Sequence, residues 1–311
     1  MEYIATGNFV IDELRSDGVR HVNACGPVGY AYAGMRVFTD RCKMVANVGR
    51  DCADAIRAYA ARNNVPTDGL MVKTDYTNHI VLEFTENGNY RYYYALGDWL
   101  GAINFGMLRI RPEDLEPHLN GVKGIYIDQA IDTRFWHKMA ELKQRYPFQV
   151  MWEVQYETGK ELYFADKKQE RIEQFLSLLP LVDQFSMNLR EVAELFETKS
   201  DEESIDLIRS FSTPCFLRAG SRGSYWIENG VATFVPSVCF IEKEVDAMGC
   251  GNCSTAAALV ARVEGCSPAE ICARANVAAA YNLEQYGPIP AFPESLRAHA
   301  LSAVSDLLTK V

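Results

Sequence analysis

Short apolar or alternating runs recur along the chain at residues 3–6, 43–48, 124–127, 148–154, 184–187 and 215–218. Runs of this length, rich in β-branched and aromatic residues, read as strands. Between them lie stretches of helical periodicity at 51–64, 133–146, 170–179, 190–197 and 202–211. Strand alternating with helix predicts βαβ units around a mainly parallel sheet, an α/β class in which helices cover both faces.

Two regions break the rhythm. One is the polar stretch 12–23. The other is 77–96, where Ile80-Val81-Leu82-Glu83-Phe84 and Tyr90-Arg91-Tyr92-Tyr93-Tyr94 flank Glu86-Asn87-Gly88-Asn89. Asn-Gly between β-rich runs predicts a hairpin. Together they are read as a small β-sheet lid, approximately 12–24 and 76–100, projecting from a single domain spanning 1–311. Its tyrosines either cover a substrate or a second subunit, or pack within their own sheet.

The segment richest in chemistry is Val245-Asp246-Ala247-Met248-Gly249-Cys250-Gly251-Asn252-Cys253, which opens an Ala-rich helix ending near Gly265. Backbone N–H groups gathered at a helix N-terminus form an anion site. The same glycines equally serve a tight turn. Asn188-Leu189-Arg190-Glu191 can cap the helix it begins, and Glu191 in the first turn benefits from the helix dipole. Ser267-Pro268-Ala269-Glu270 is a capped helix start, followed by Ala275-Asn276-Val277-Ala278.

The order of these segments resembles the PfkB (ribokinase-like) family of carbohydrate kinases over nearly the whole chain. Gly7-Asn8-Phe9-Val10-Ile11-Asp12 is similar to its first-strand motif, which places Asp12 on substrate hydroxyls. Cys25-Gly26-Pro27-Val28-Gly29-Tyr30 matches its Gly-Gly-x-x-x-Asn element, implying substrate contact at Gly26 and Tyr30. Val48-Gly49-Arg50-Asp51 is similar to its Val-Gly-x-Asp turn. Asn188 and Glu191 match the pattern that organises magnesium and phosphates, Glu191 through water. Gly220-Ser221-Arg222-Gly223 resembles the turn beside the nucleotide, and Asn276 lies on the helix flanking adenine. The resemblance implies a three-layer αβα fold, ATP, magnesium and a monovalent cation as cofactors, a sugar or nucleoside substrate, and a lid-mediated homodimer.

The departures carry as much meaning. Gly249, Cys250, Gly251 and Asn252 occupy the phosphate loop, but the family has an aspartate base where this chain has Asn252. An amide cannot accept a proton, and general-base catalysis is worth about 10² to 10⁴ in rate. Some vitamin-precursor kinases of the wider superfamily carry cysteine at that position; Cys253 is displaced by one residue, about a quarter turn of helix. Cys250 and Cys253 also form a Cys-x-x-Cys pair, so a dithiol switch is a separate reading. Tyr30 replaces an Asn, Cys25 a Gly, and Arg218 stands where Thr is usual; Arg218 either meets a phosphate or is packed.

Composition narrows the field. The chain of 311 residues is 48% hydrophobic and 23% charged, ordinary globular usage, with no run near the roughly 20 apolar residues of a membrane span. A formal charge of −10 argues against binding to a nucleic-acid backbone. Nine scattered cysteines and an N-terminus without a basic and apolar leader point to reduced thiols and a cytoplasmic protein. The expected activity is ATP-dependent phosphorylation of a sugar or nucleoside hydroxyl. The alternative is an impaired kinase-fold protein that binds or senses such a ligand.

Overall fold

A computed structural model describes residues 1–16, 19–24, 26–84, 90–155 and 168–310. Cys25 and the expected hairpin tip at 86–89 lie outside the described residues. The chain opens with β1 (Tyr3–Gly7), β2 (Val10–Ser16), β3 (Val19–Ala24), α1 (Gly26–Phe38), β4 (Cys42–Gly49), α2 (Arg50–Arg62) and β5 (Leu70–Thr74). Then come β6 (Asn78–Phe84), β7 (Tyr90–Tyr94), α3 (Asp98–Leu108), α4 (Pro112–Leu115), β8 (Gly124–Ala130), α5 (Thr133–Lys143), β9 (Gln149–Gln155) and α6 (Lys168–Leu178). The remainder is β10 (Gln184–Asn188), α7 (Leu189–Phe196), α8 (Asp201–Arg209), β11 (Cys215–Arg218), β12 (Gly223–Glu228), β13 (Val231–Pro236), α9 (Cys250–Val263), α10 (Pro268–Asn282) and α11 (Glu294–Leu308).

Nine strands form one sheet in the order β13-β12-β11-β10-β9-β8-β1-β4-β5. From β11 to β5 every pairing is parallel, while β12 and β13 close the edge as an antiparallel hairpin. Successive residues of one strand enter different cores. Tyr3, Ala5, Tyr126, Met151 and Phe216 pack with α1, α9 and α10. Ile4, Ile125, Ile127, Val150, Trp152 and Leu217 pack on the opposite face with α5, α6 and α7. A sheet covered on both faces needs strands that are apolar at nearly every position, which is why these runs stand out in the sequence. Trp136, Trp152 and Phe175 line up through the second core with ring centroids 4.8 and 5.6 Å apart.

A second sheet of order β3-β2-β6-β7 joins the two segments that broke the α/β rhythm. Its strands β2 and β6 are parallel and the outer pairings antiparallel. Glu13 is buried in it and accepts hydrogen bonds from Arg15 and Arg20, each at 2.7 Å, with His79 at 2.9 Å. The two guanidinium groups, Arg20 foremost, outweigh burial and hold its carboxyl down at about 2.

Some elements were absent from the periodicity. Helix α1 buries every residue but Pro27, so it shows no polar face to mark it as helical. It packs so closely on α9 that a Cβ on Gly34 would overlap the carbonyl oxygen of Cys253, with the carbonyl carbon 2.7 Å away. Among the described residues, no helix is long and apolar enough to cross a membrane.

Candidate active site

The order of the large sheet reverses around β1: the chain runs outward to β4 and β5 on one side and to β8 through β11 on the other. Such a switch point opens a crevice beyond the C-terminal ends of the strands. Gly7 closes β1 there beside Asp128 of β8, at φ 140°, where a Cβ would lie 2.5 Å from the Asp128 carbonyl oxygen. Toward the same ends of β8, β9, β10 and β11 stand Asp128, Glu153, Asn188 and Arg218.

Helix α9 begins at this crevice. Gly249 caps it in the left-handed region, φ 76° and ψ −5°, and a side chain there would fall into the ring of Tyr30. Both facts demand glycine. The Cys253 amide already donates to the Gly249 carbonyl at 2.9 Å. The amides of Gly251 and Asn252, in the first turn, have no carbonyl behind them within the helix and are free to face an anion.

Asn252 Nδ2 lies 2.8 Å from the Tyr126 hydroxyl, to which it donates. Burial, reinforced by Asp128 and Glu153, pushes the Tyr126 hydroxyl well above its ordinary range, so the phenol stays neutral. The neighbouring thiols are shifted in the same sense. Burial raises Cys250 to about 11 and Cys253 well above its usual value. Cys253 is fully buried, with Sγ 3.4 Å from the Ala278 carbonyl, and Cys250 faces the Ala279 carbonyl at 3.6 Å. A catalytic or redox thiol requires a lowered pKa and access. The geometry therefore opposes Cys253 as a base and the pair as a dithiol switch, and both pack the junction of α9 and α10.

Asn188 and Glu191 form a reciprocal capping box on α7. Asn188 Oδ1 accepts from the Glu191 amide at 2.8 Å, and Glu191 Oε2 accepts from the Asn188 amide at 2.6 Å. Glu191 Oε2 also accepts from Arg218 Nη2 at 3.3 Å, and the same nitrogen donates to Glu153 Oε1. Burial raises the Glu191 carboxyl to about 7 against the opposing pull of Arg218. Among the described residues no group of three His, Cys, Asp or Glu side chains is disposed to hold a metal ion. Glu191, the expected metal residue, spends one oxygen on a helix cap and a guanidinium. Arg218 is the resident cation beside Glu153 and Glu191, and a metal near Glu191 would be reached through water, as the resemblance implies.

Asp12 lies on β2, 8% exposed. Burial, then the nearby charge of Asp246, raises its carboxyl to about 7. Asp246 Oδ1 accepts from the Met248 amide at 2.9 Å, while its Oδ2 is buried with no partner among the described residues. Gly26 starts α1 at φ 45°, where a Cβ would meet the Val10 amide nitrogen at 2.7 Å. His21 of β3 stacks on Tyr286, beyond α10, with centroids 3.5 Å apart, tying the second sheet to the larger body.

Two expected contacts take a different form. Tyr30 is 1% exposed and lies beneath Gly249, so it supports the loop from below and offers no surface to a substrate. Asn276 is engaged within the protein. Its Nδ2 donates to the Val235 and Pro236 carbonyls at 3.0 Å each, and its Oδ1 accepts from Ser224 at 2.8 Å, pinning the β12–β13 hairpin to α10. Gly220, at φ 61°, borders open space, and a methyl group added there would find nothing within 4 Å, whereas a Cβ on Gly223 would lie 2.8 Å from the Ser237 amide nitrogen. Sequence reasoning passed over Tyr126, Asp128, Glu153 and Asp246. The available signal was an ionisable residue inside an otherwise apolar strand, as in Gly124–Ala130 and Gln149–Gln155.

No curated protein matches the sequence. Among solved structures, adenosine kinase from Sinorhizobium meliloti superposes with a TM-score of 0.72 at 19% identity, covering 97% of this chain and 99% of that one. Aminoimidazole riboside kinase from Salmonella enterica, complexed with aminoimidazole riboside and an ATP analog, gives 0.74 at 15% identity, covering 98% and 100%. Fructokinase from Vibrio cholerae O395, bound to fructose, ADP and calcium ion, gives 0.74 at 15% identity, covering 97% and 99%. Identities this low establish a shared fold. The sequence itself matches the pfkB family carbohydrate kinases over residues 28–295, most of its length, and the chain belongs to that family.

Proposed function

We propose that this chain transfers the terminal phosphoryl group of ATP to a hydroxyl of a sugar or nucleoside-like small molecule, slowly because Asn252 stands where a base is needed. The observation that carries this reading is the first turn of α9. Its glycine-bent amides lie beside Asn252 at the switch point of the sheet, suited to a transferred phosphate. Asp12 accepts hydrogen bonds from the substrate's hydroxyls, Gly26 lets α1 begin against β2, and Gly220 leaves room for nucleotide. The second sheet, which carries Asp12 on β2, acts as a lid over the crevice, its closure supported by the His21–Tyr286 stack. Its edge strands β3 and β7 offer the surface for a homodimer.

A second reading, binding without turnover, is favoured by one observation: the Asn252 amide is engaged by a neutral phenol and has no basic lone pair. ADP release with ATP and magnesium, measured across a panel of sugars and nucleosides, separates the two. Slow release that depends on one alcohol supports the kinase. Saturable binding of an alcohol with no release across the panel sinks it.

Asp12 gives the proposal a pH signature. Its carboxyl must be ionised to accept a hydroxyl, and it titrates near 7 in the folded chain. Substrate affinity should therefore fall about tenfold per pH unit below that point and level off above it. Stability runs the other way. A carboxyl raised from 3.8 to about 7 contributes stability that is complete below about pH 4 and lost as pH rises through 7. Asp12→Asn should flatten the affinity profile; an unchanged profile in that variant removes Asp12 from the substrate site.

A further inference from the structure

The guanidinium of Arg218 lies against the first turn of α9, so close that Gly251 has no room for a side chain: a Cβ there would overlap Nη1. This is the wrong end of a helix for a cation, because the N-terminus carries partial positive charge. Two carboxylates hold it there. Glu153 and Glu191 both take Nη2, leaving Nη1 unspent beside Gly251. Arg218 Nε is buried with no partner among the described residues, and so is Glu153 Oε2, on a side chain only 7% exposed. The Nε–H lies on the Nη2 edge that the carboxylates occupy and is shut off from solvent, so Nη1 is the donor left for a ligand.

We propose that Arg218 is the polyphosphate-binding cation of this chain, taking the place of a protein-held metal beside Glu153 and Glu191. Nη1 donates to a non-bridging phosphate oxygen, and the Gly251 and Asn252 amides donate to others. In a site that relied on a metal, two carboxylates would repel a polyphosphate until a divalent ion intervened. Here the guanidinium has already neutralised them in part. Binding of a polyphosphate therefore does not require a metal bridge to the protein. The inference rests on the phosphate end of the proposed kinase site, but it concerns binding, and turnover is a separate readout.

The test is calorimetric titration of the full chain with inorganic tripolyphosphate and with ATP, in magnesium and in EDTA. The unaltered chain should bind both in EDTA. Arg218→Met combined with Glu153→Gln, which removes the Arg218–Glu153 pair and leaves Glu191 on its helix cap, should weaken tripolyphosphate about ten- to a hundredfold, the loss expected for charged hydrogen bonds. Arg218→Lys keeps the charge that the carboxylates need and loses the Nη1 donor; it should weaken binding about tenfold without changing the melting temperature, and it covers the case in which the double variant does not fold. Binding by the unaltered chain that vanishes in EDTA, or an Arg218→Lys chain that binds as the unaltered one does, overturns the proposal. Loss in EDTA with alcohol-dependent ADP release retained in magnesium leaves the kinase reading intact. Metal-free binding with no release for any alcohol does the reverse.

Discussion

Replacing Asn252 with aspartate should raise alcohol-dependent ADP release by about 10² to 10⁴, the range of a positioned general base and roughly 3 to 5 kcal/mol of barrier. The site is built to receive the change. Asn252 and aspartate are nearly isosteric, and the Tyr126 hydroxyl, which accepts from Asn252 at 2.8 Å, can donate its proton to the new carboxylate. Because burial keeps that phenol neutral, it adds a hydrogen bond and no charge. The gain should grow with pH, since only the ionised carboxyl accepts the proton; Asp128 and Glu153 nearby oppose its ionisation, while Arg218 favours it. Equal turnover in both chains would mean that proton removal does not limit the rate. Silence in both, with ligand binding intact, would favour the sensor.

Gly34→Ala should cost at least about 3 kcal/mol of stability, the upper end of what overpacking a core does. The added methyl meets the carbonyl oxygen, the carbonyl carbon and the Cα of Cys253, the latter two at 2.7 and 2.9 Å. All three are backbone atoms, so no side chain can swing aside and the helices must part. Cys253 lies in the first turn of α9, one residue from Asn252. The folded fraction should therefore also lose nucleotide affinity. Urea denaturation reads the first effect and titration with ATP the second. Gly106→Ala is the control: it lies in α3 with nothing within 4 Å of the new methyl and should gain about 0.5 to 1 kcal/mol. A Gly34→Ala midpoint equal to that of the unaltered chain would mean that α1 and α9 are less tightly joined than the geometry requires.

Both faces of the large sheet are buried, so its inner strands announced themselves as apolar runs, and the capping box at Asn188 and Glu191 could be read because its two partners are three residues apart. The hairpin β12–β13 was legible and was passed over: Asn229-Gly230 joins its strands with both residues at positive φ, the same Asn-Gly signal that predicts the turn at 86–89. Helix α1 escaped for a different reason, having no polar face. In the site, what stayed hidden was long-range. Arg218 is visibly odd as a substitution, but its partners Glu153 and Glu191 lie 65 and 27 residues away. No local pattern joins them until the strands stand side by side. Tyr30 was legible as a departure from the family, and only packing reveals that it lies under Gly249.

The central place of β1 has a consequence for how the chain comes into being. Strand β1 leaves the ribosome before both of its neighbours: Tyr3 pairs with Cys42 on one side and with Gly124 on the other. Its second edge stays open for more than a hundred residues of synthesis, an apolar ribbon with unpaired amides. Until β8 emerges, the nascent chain carries its own seam exposed, and the crevice between β1 and β8 that defines the site cannot exist.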